Sequence, residues 1–200
     1  MIPDGAEARQ GEQPGDRLEP LLSEAQLQAR IGELARQIDA DYRNATREHP
    51  LCLIAVLKGA CIFAADLMRH LTVPVTLEFI AASSYGKGTR SSGAVALDGV
   101  ARLDIAARPV LVLDDILDTG LTIAVILDRL RALGPASLEL CMLLRKPADG
   151  RPDLPVRYVG FDIPAEFVVG YGMDHAERHR NLRGIYKLIL SGTASDRIRL

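Results

Sequence analysis

Apolar positions along the chain follow two rhythms. Leu27, Ile31, Leu34 and Ile38 recur at helical spacing and share one face of a helix that starts at Glu24, with Ser23 as its N-cap. Residues 51–57, 75–80, 110–113 and 137–144 are instead short continuous apolar runs, the pattern of strands covered on both faces. Residues 61–71 and 122–133 return to the helical rhythm. Strands alternating with helices predict an α/β fold: a mostly parallel central sheet with helices on both faces. Past residue 145 the pattern changes. Residues 156–159, 166–169 and 184–190 read as short strands with no helix between them, which predicts a small hood, built from about 145–190 together with N-terminal residues. Residues 94–97 and 100–103 look like a short paired extension, and 82–93 form a polar, glycine-rich loop. Residues 1–20 are polar, carry Gly and Pro, and are expected to be a disordered lead-in to a domain over 21–200.

Composition narrows the function. The net charge of −2 argues against a nucleic-acid partner, whose phosphates would call for a basic excess. No run reaches the ~18 apolar residues of a membrane span, and the N-terminus lacks a signal peptide's apolar core, so the expected location is cytoplasmic. Cys52, Cys61 and Cys141 all lie in apolar runs without a metal-ligand partner, and read as free thiols in a reducing compartment. His175 and His179 stand four apart but lack the rest of a zinc motif, so they read as solvated polar positions.

The chemistry concentrates after residue 110. The apolar strand there ends in Asp114 and Asp115, Asp118 follows, and Thr119-Gly120 turns the chain into the next helix. Carboxylates this close repel one another, and burial makes that worse. A cation, or a phosphate with its metal, relieves it. The loop's N–H groups and the helix N-terminus suit a phosphate, and the acids suit Mg²⁺ or the hydroxyls of a ribose. Lys58-Gly59 follows the first strand and Lys146 the fourth. In open α/β sheets ligands bind at these carboxyl ends. One lysine or one aspartate there would be unremarkable; the co-location of all of them is the signal. The triphosphate-binding GxxxxGK[ST] loop and the dinucleotide-binding GxGxxG turn are both absent.

The acidic loop resembles the 5-phosphoribosyl-1-diphosphate signature of the type I phosphoribosyltransferases. Four segments narrow the resemblance to the hypoxanthine-guanine phosphoribosyltransferase family: LKGA at 57–60, SSYG at 83–86, VLVLDDILDTGLT at 110–122 and GFDIPAEFVVGYGMD at 160–174. It covers about residues 20–190 and implies the type I phosphoribosyltransferase fold. It also implies Mg²⁺-dependent transfer of the phosphoribosyl group to N9 of hypoxanthine or guanine, giving IMP or GMP and diphosphate in purine salvage.

The resemblance assigns roles. Asp118 is similar to the family's catalytic acid/base at purine N7. Asp114 and Asp115 resemble the pair that meets the ribose hydroxyls directly or through Mg²⁺, and Asp174 a further Mg²⁺ contact. Ile116, Leu117, Thr119, Gly120, Leu121 and Thr122 would wrap the 5′-phosphate. Lys58, Gly59 and Arg180 would meet the diphosphate; in the family the Lys58–Gly59 peptide can be strained or cis. Ser84 and Tyr85 resemble a pair that reaches the diphosphate from a closing loop. Lys146 would donate to purine O6, Phe167 would stack on the base, and the Val168 backbone would read its edge. Three positions depart from the common pattern: Asp114 where Glu is frequent, Ala60 where Gly is, and Arg145 where bacterial relatives carry Asp. Implied partners are small-molecule substrates and further copies of the chain, as a homodimer or homotetramer with the Lys58 loop near the interface, with neither nucleic acid nor membrane. Two alternatives stay open: a xanthine-preferring enzyme, and a regulator that binds 5-phosphoribosyl-1-diphosphate without catalysis.

Overall fold

The computed structural model describes residues 17–46, 48–84, 95–147, 154 and 156–190, with only the backbone of 83, 84, 95 and 96. The chain opens with strand β1 (Arg17–Leu22) and helix α1 (Glu24–Tyr42). Ser23 caps α1 as its sequence predicts: its hydroxyl accepts from Gln26 N–H, while Gln26 Oε1 accepts from Ser23 N–H at 2.9 Å. Then follow β2 (Leu51–Leu57), α2 (Cys61–His70), β3 (Val75–Ser84) and β4 (Val95–Asp98). After them come β5 (Pro109–Leu117), α3 (Leu121–Arg131), β6 (Ser137–Arg145), β7 (Val156–Asp162), β8 (Val168–Val169) and β9 (Ile185–Ile189).

The main sheet has the order β4-β3-β2-β5-β6-β7, parallel throughout except for β4. Its two faces are read directly from the side-chain alternation. Leu53, Ala55, Leu111 and Leu113 pack under α1 and α2, with Leu27, Ile31, Leu34, Phe63 and Leu67. Cys52, Ile54, Val110 and Val112 point the other way, against Ile123, Ile126, Leu127 and Leu130 of α3. Fully burying each Leu, Ile, Val or Phe side chain among these contributes about 1.5–3 kcal/mol. One buried acid ties the first layer together. Asp39 of α1 accepts from the N–H groups of Thr72 and Val73 at 2.9 and 3.1 Å and from the Thr72 hydroxyl at 2.8 Å, so its charge is fully used.

Four expectations change. Residues 17–20 belong to β1, because pairing with β9 gives their backbone a partner that local sequence does not reveal. The strand predicted over 156–159 runs to Asp162 and joins the edge of the main sheet beside β6 instead of the hood. Arg30 of α1 covers that edge, donating to the carbonyls of Gly160 and Val159 at 2.9 Å each. Residues 100–103 do not pair as a strand: Gly99 (φ +93°) turns the chain into a single 3₁₀ turn at Val100–Arg102, and β4 pairs with β3. Finally, β5 does not stop before the acids. Its ladder with β6 continues through Asp114↔Met142 to Leu117↔Arg145. The hood is a separate antiparallel sheet in the order β1-β9-β8.

Candidate active site

The site lies where β2, β5 and β6 end and the hood meets them. A cavity of about 340 Å³ is lined from the core by Lys58, Gly59, Asp114, Asp115, Asp118 and Lys146. From the hood side it is lined by Phe167, Val168, Asp174 and Arg180. A second cavity of about 190 Å³ shares Asp114, Ile116 and Asp118 with the first, and continues along Leu117, Thr119, Gly120 and Thr122. Fifteen residues singled out by sequence are thus distributed over two adjoining cavities, one large enough for a base and one at a helix N-terminus. Leu121 is the exception: it is the first residue of α3, 60% exposed, and lines neither. Ser84 ends β3, and Tyr85 lies outside the described residues.

Strand geometry sets the acids. Asp114 is buried and its Oδ1 accepts from Asp115 N–H at 3.0 Å; Asp115 Oδ1 accepts from Ile116 N–H at 2.8 Å. Burial first, and then the neighbouring Asp115 carboxylate, push Asp114 well above the usual carboxylate range. Asp115 is also raised, chiefly by burial, with hydrogen bonds and the Arg180 charge working against it. A pair of carboxylates that resist ionisation at the floor of a cavity is chemically primed for a cation.

Gly59 is fixed by close approach. A Cβ there would overlap Asp115 Oδ2, and a Cβ on Gly172 (φ +99°) would overlap Gly59 carbonyl oxygen. The Lys58-Gly59 turn is therefore pressed between the acid pair and the hood. The cis peptide in this turn is Leu57–Lys58, one bond earlier than the Lys58–Gly59 bond suggested by resemblance.

At the other end Lys146 Nζ pairs with Asp118 Oδ2 at 2.7 Å. Lys146 is 13% exposed and Asp118 61%, so the lysine is fixed and the acid faces the opening. Lys146 N–H donates to Leu117 carbonyl oxygen at 3.1 Å, which anchors its backbone to the end of β5. The preceding Arg145 turns away to Asp162, with Nη2–Oδ2 at 3.0 Å, so it does not line the cavity. Phe167 stands edge-on to His175, centroids 5.3 Å apart, and its carbonyl accepts from Leu188 N–H at 2.9 Å. His179 is buried, contrary to the solvated reading of that position. Gly120 (φ +74°) is the N-cap of α3, and Gly120, Thr122 and Ile123 at this helix N-terminus line the second cavity.

Sequence reasoning passed over Glu177. Lys58 Nζ donates to its Oε1 at 2.9 Å, and Arg180 Nη2 pairs with its Oε2 at 3.1 Å. Arg180 also pairs with Asp174 Oδ1 at 2.8 Å and donates to Gly172 carbonyl oxygen at 2.9 Å. No local pattern marks Glu177, because its lysine partner is 119 positions away. Among the described residues no three His, Cys, Asp or Glu side chains converge into a preformed metal cluster.

An α/β sheet carrying an acidic strand end beside a phosphate-sized helix N-terminus defines a phosphoribosyltransferase, and residues 19–176 match the family model described as "Phosphoribosyl transferase domain". A hypoxanthine-guanine phosphoribosyltransferase of Mycobacterium tuberculosis is 48% identical over 171 residues, 84% of this chain and 85% of the relative. A crystal structure of a hypoxanthine-guanine phosphoribosyltransferase from Bacillus anthracis superposes with a TM-score of 0.75 at 41% identity, covering 87% of this chain and 99% of that one. A Trypanosoma cruzi hypoxanthine phosphoribosyltransferase mutant, solved as a ternary substrates complex, gives a TM-score of 0.79 at 38% identity, covering 88% and 97%. The chain belongs to the hypoxanthine-guanine phosphoribosyltransferase family.

Proposed function

We propose that this protein transfers the 5-phosphoribosyl group of 5-phosphoribosyl-1-diphosphate to N9 of hypoxanthine or guanine, releasing diphosphate and forming IMP or GMP in purine salvage. The observation that carries the reading is the Lys146–Asp118 pair at 2.7 Å, in the same cavity as the buried acids and Arg180. A 6-oxopurine offers each member a partner. Lys146 donates to O6, and Asp118 accepts the N7 proton, which raises electron density at N9 as it attacks C1. Within the protein this donor and acceptor neutralise each other, and the base replaces that contact with two of its own. Adenine presents a 6-amino donor to Lys146 and is excluded. Phe167 supplies the stacking face, and the Val168 backbone the edge contact.

The second cavity fits the 5′-phosphate. The α3 N-terminus and the hydroxyls of Thr119 and Thr122 supply donors, and Ile116, Leu117 and Leu121 carry backbone around it. Lys58, Gly59 and Arg180 take the diphosphate, with Ser84 and Tyr85 closing over it. The donor set fits Mg²⁺. Around the diphosphate end, the acids Asp114, Asp115, Asp174 and Glu177 outnumber the cations Lys58 and Arg180, and the buried Asp114–Asp115 pair ionises most readily against added positive charge. Asp114, Asp115 and Asp174 would hold the ion, sharing it with substrate oxygens and water. When bound, Mg²⁺ neutralises charge on the departing diphosphate.

We also infer a homodimer or homotetramer in the cytoplasm. Exposed Leu57 and Phe79 beside the Lys58 turn favour burial against a second copy, and the free cysteines suit a reducing compartment. Among the described residues no helix is long and apolar enough to cross a membrane. The test of the reaction is direct. Protein, Mg²⁺ and 5-phosphoribosyl-1-diphosphate are incubated with each of hypoxanthine, guanine, xanthine and adenine, and nucleotides are separated and quantified. IMP and GMP form and AMP does not. Absence of both IMP and GMP overturns the reading, and faster XMP formation transfers it to xanthine.

A further inference from the structure

The diphosphate end of the cavity holds an anion of its own. Glu177 follows Asp174 in a tight turn, with φ at +62° and its N–H donated to Asp174 Oδ2 at 2.8 Å. Its side chain is 66% exposed, yet both oxygens are engaged: Oε1 by Lys58 Nζ at 2.9 Å, Oε2 by Arg180 Nη2 at 3.1 Å. The two cations arrive from opposite sides, one from the turn after β2 and the other from the hood. Arg180 Nε is buried without a hydrogen-bond partner, so the guanidinium has donor capacity that the protein itself does not use. A carboxylate whose two oxygens bridge a lysine and an arginine occupies the electrostatic position of a bound anion. Lys58 and then Arg180 hold Glu177 below the usual carboxylate range.

We propose that Glu177 is an internal counter-anion for the diphosphate subsite: it positions Lys58 and Arg180 while the site is empty, and diphosphate displaces it. This rests on the reaction proposed above and assigns a positioning residue to it. The arrangement has two consequences. Cations held in place need less ordering when the ligand arrives. Ion pairs this exposed are individually weak, so a more highly charged ligand can exchange for them, but the competition lowers affinity for diphosphate and speeds its release.

Calorimetric titration of Mg²⁺ and inorganic diphosphate into the full chain tests it, using wild type, Glu177→Gln and Glu177→Asp. Thermal melts establish that all three fold. Wild type binds. Glu177→Gln binds about three- to tenfold tighter at low salt, the scale of two exposed pairs. The gap closes as ionic strength rises. KM for 5-phosphoribosyl-1-diphosphate falls with it while KM for the purine does not move, and Glu177→Asp lies nearer to wild type. A purely structural Glu177 gives the opposite sign: binding equal to or weaker than wild type in Glu177→Gln overturns the exchange. If wild type binds no diphosphate at all, the parent reaction falls, and the inference with it.

Discussion

Asp118 and Asp114 are both aspartates of one strand end, and their surroundings separate their roles. Asp118 is largely exposed and faces Lys146; Asp114 is buried beside a like charge. Asp118→Asn keeps the side-chain volume and loses the proton acceptor. It should bind 5-phosphoribosyl-1-diphosphate normally and turn over about 10²–10⁴-fold more slowly; wild-type turnover would remove Asp118 from the reaction. Asp114 carries a stability signature instead. An acid whose pKa is raised by folding holds its proton more tightly in the folded state. Stability is therefore fullest below the unfolded value near 3.8 and is lost as pH rises through the raised folded value. Asp114→Asn retains the oxygen that accepts the Asp115 N–H. It should flatten this slope and, near neutrality without Mg²⁺, stabilise the protein by about 1–2 kcal/mol at a cost in activity. Chemical denaturation at pH 5 and pH 8 reads the difference, and a variant less stable than wild type at pH 8 counts against a strained acid pair. Adding Mg²⁺ should stabilise wild type more at pH 8 than at pH 5.

At the scale of elements, Asp39 shows how α1 and α2 are locked. Asp39→Ala leaves the Thr72 and Val73 N–H groups without their acceptor, and should cost about 2–3 kcal/mol, seen as a lower denaturation midpoint with an unchanged slope. An unchanged midpoint would mean that water replaces the carboxylate fully. The elements themselves were legible to different degrees. Helix α1 and strand β2 could be read from the chain because a single periodicity decides them. The apolar run of strand β5 stops at Asp114 and Asp115, so its full length is not legible from hydrophobicity. Its hydrogen-bond ladder with β6 continues regardless, since pairing depends on backbone and not on side-chain polarity. Strand β1, expected as a disordered lead-in, and strand β7, expected in the hood, each owe their position to a partner that local sequence does not show, β9 for one and β6 with Arg30 for the other. The site followed the same division. Adjacent acids and strand-end lysines announce themselves locally. Glu177 and the true position of the cis peptide do not, because each depends on how the hood and the β2 turn come together.

The whole molecule brings one half of its site from the sheet and the other from the hood, and the Lys58 turn is the point where both meet solvent. Leu57 is 36% exposed and Phe79 is 44% exposed, at neighbouring positions of the β2–β3 ladder, where Ala55 faces Phe79 and Leu57 faces Ala81. The homo-oligomer proposed above would cover these two apolar side chains with a second copy of the chain. Sedimentation at micromolar concentration should then show a dimer or tetramer, and Phe79→Glu should shift it toward the 21.7 kDa monomer without loss of helical signal. Because Leu57 leads directly into Lys58, loss of the interface should loosen the diphosphate subsite and not the purine pocket. KM for 5-phosphoribosyl-1-diphosphate should rise several-fold, with the KM for hypoxanthine nearly unchanged. A wild-type protein that sediments only as monomer removes the interface. A Phe79→Glu monomer with unaltered KM values would keep the interface and detach it from the Lys58 turn.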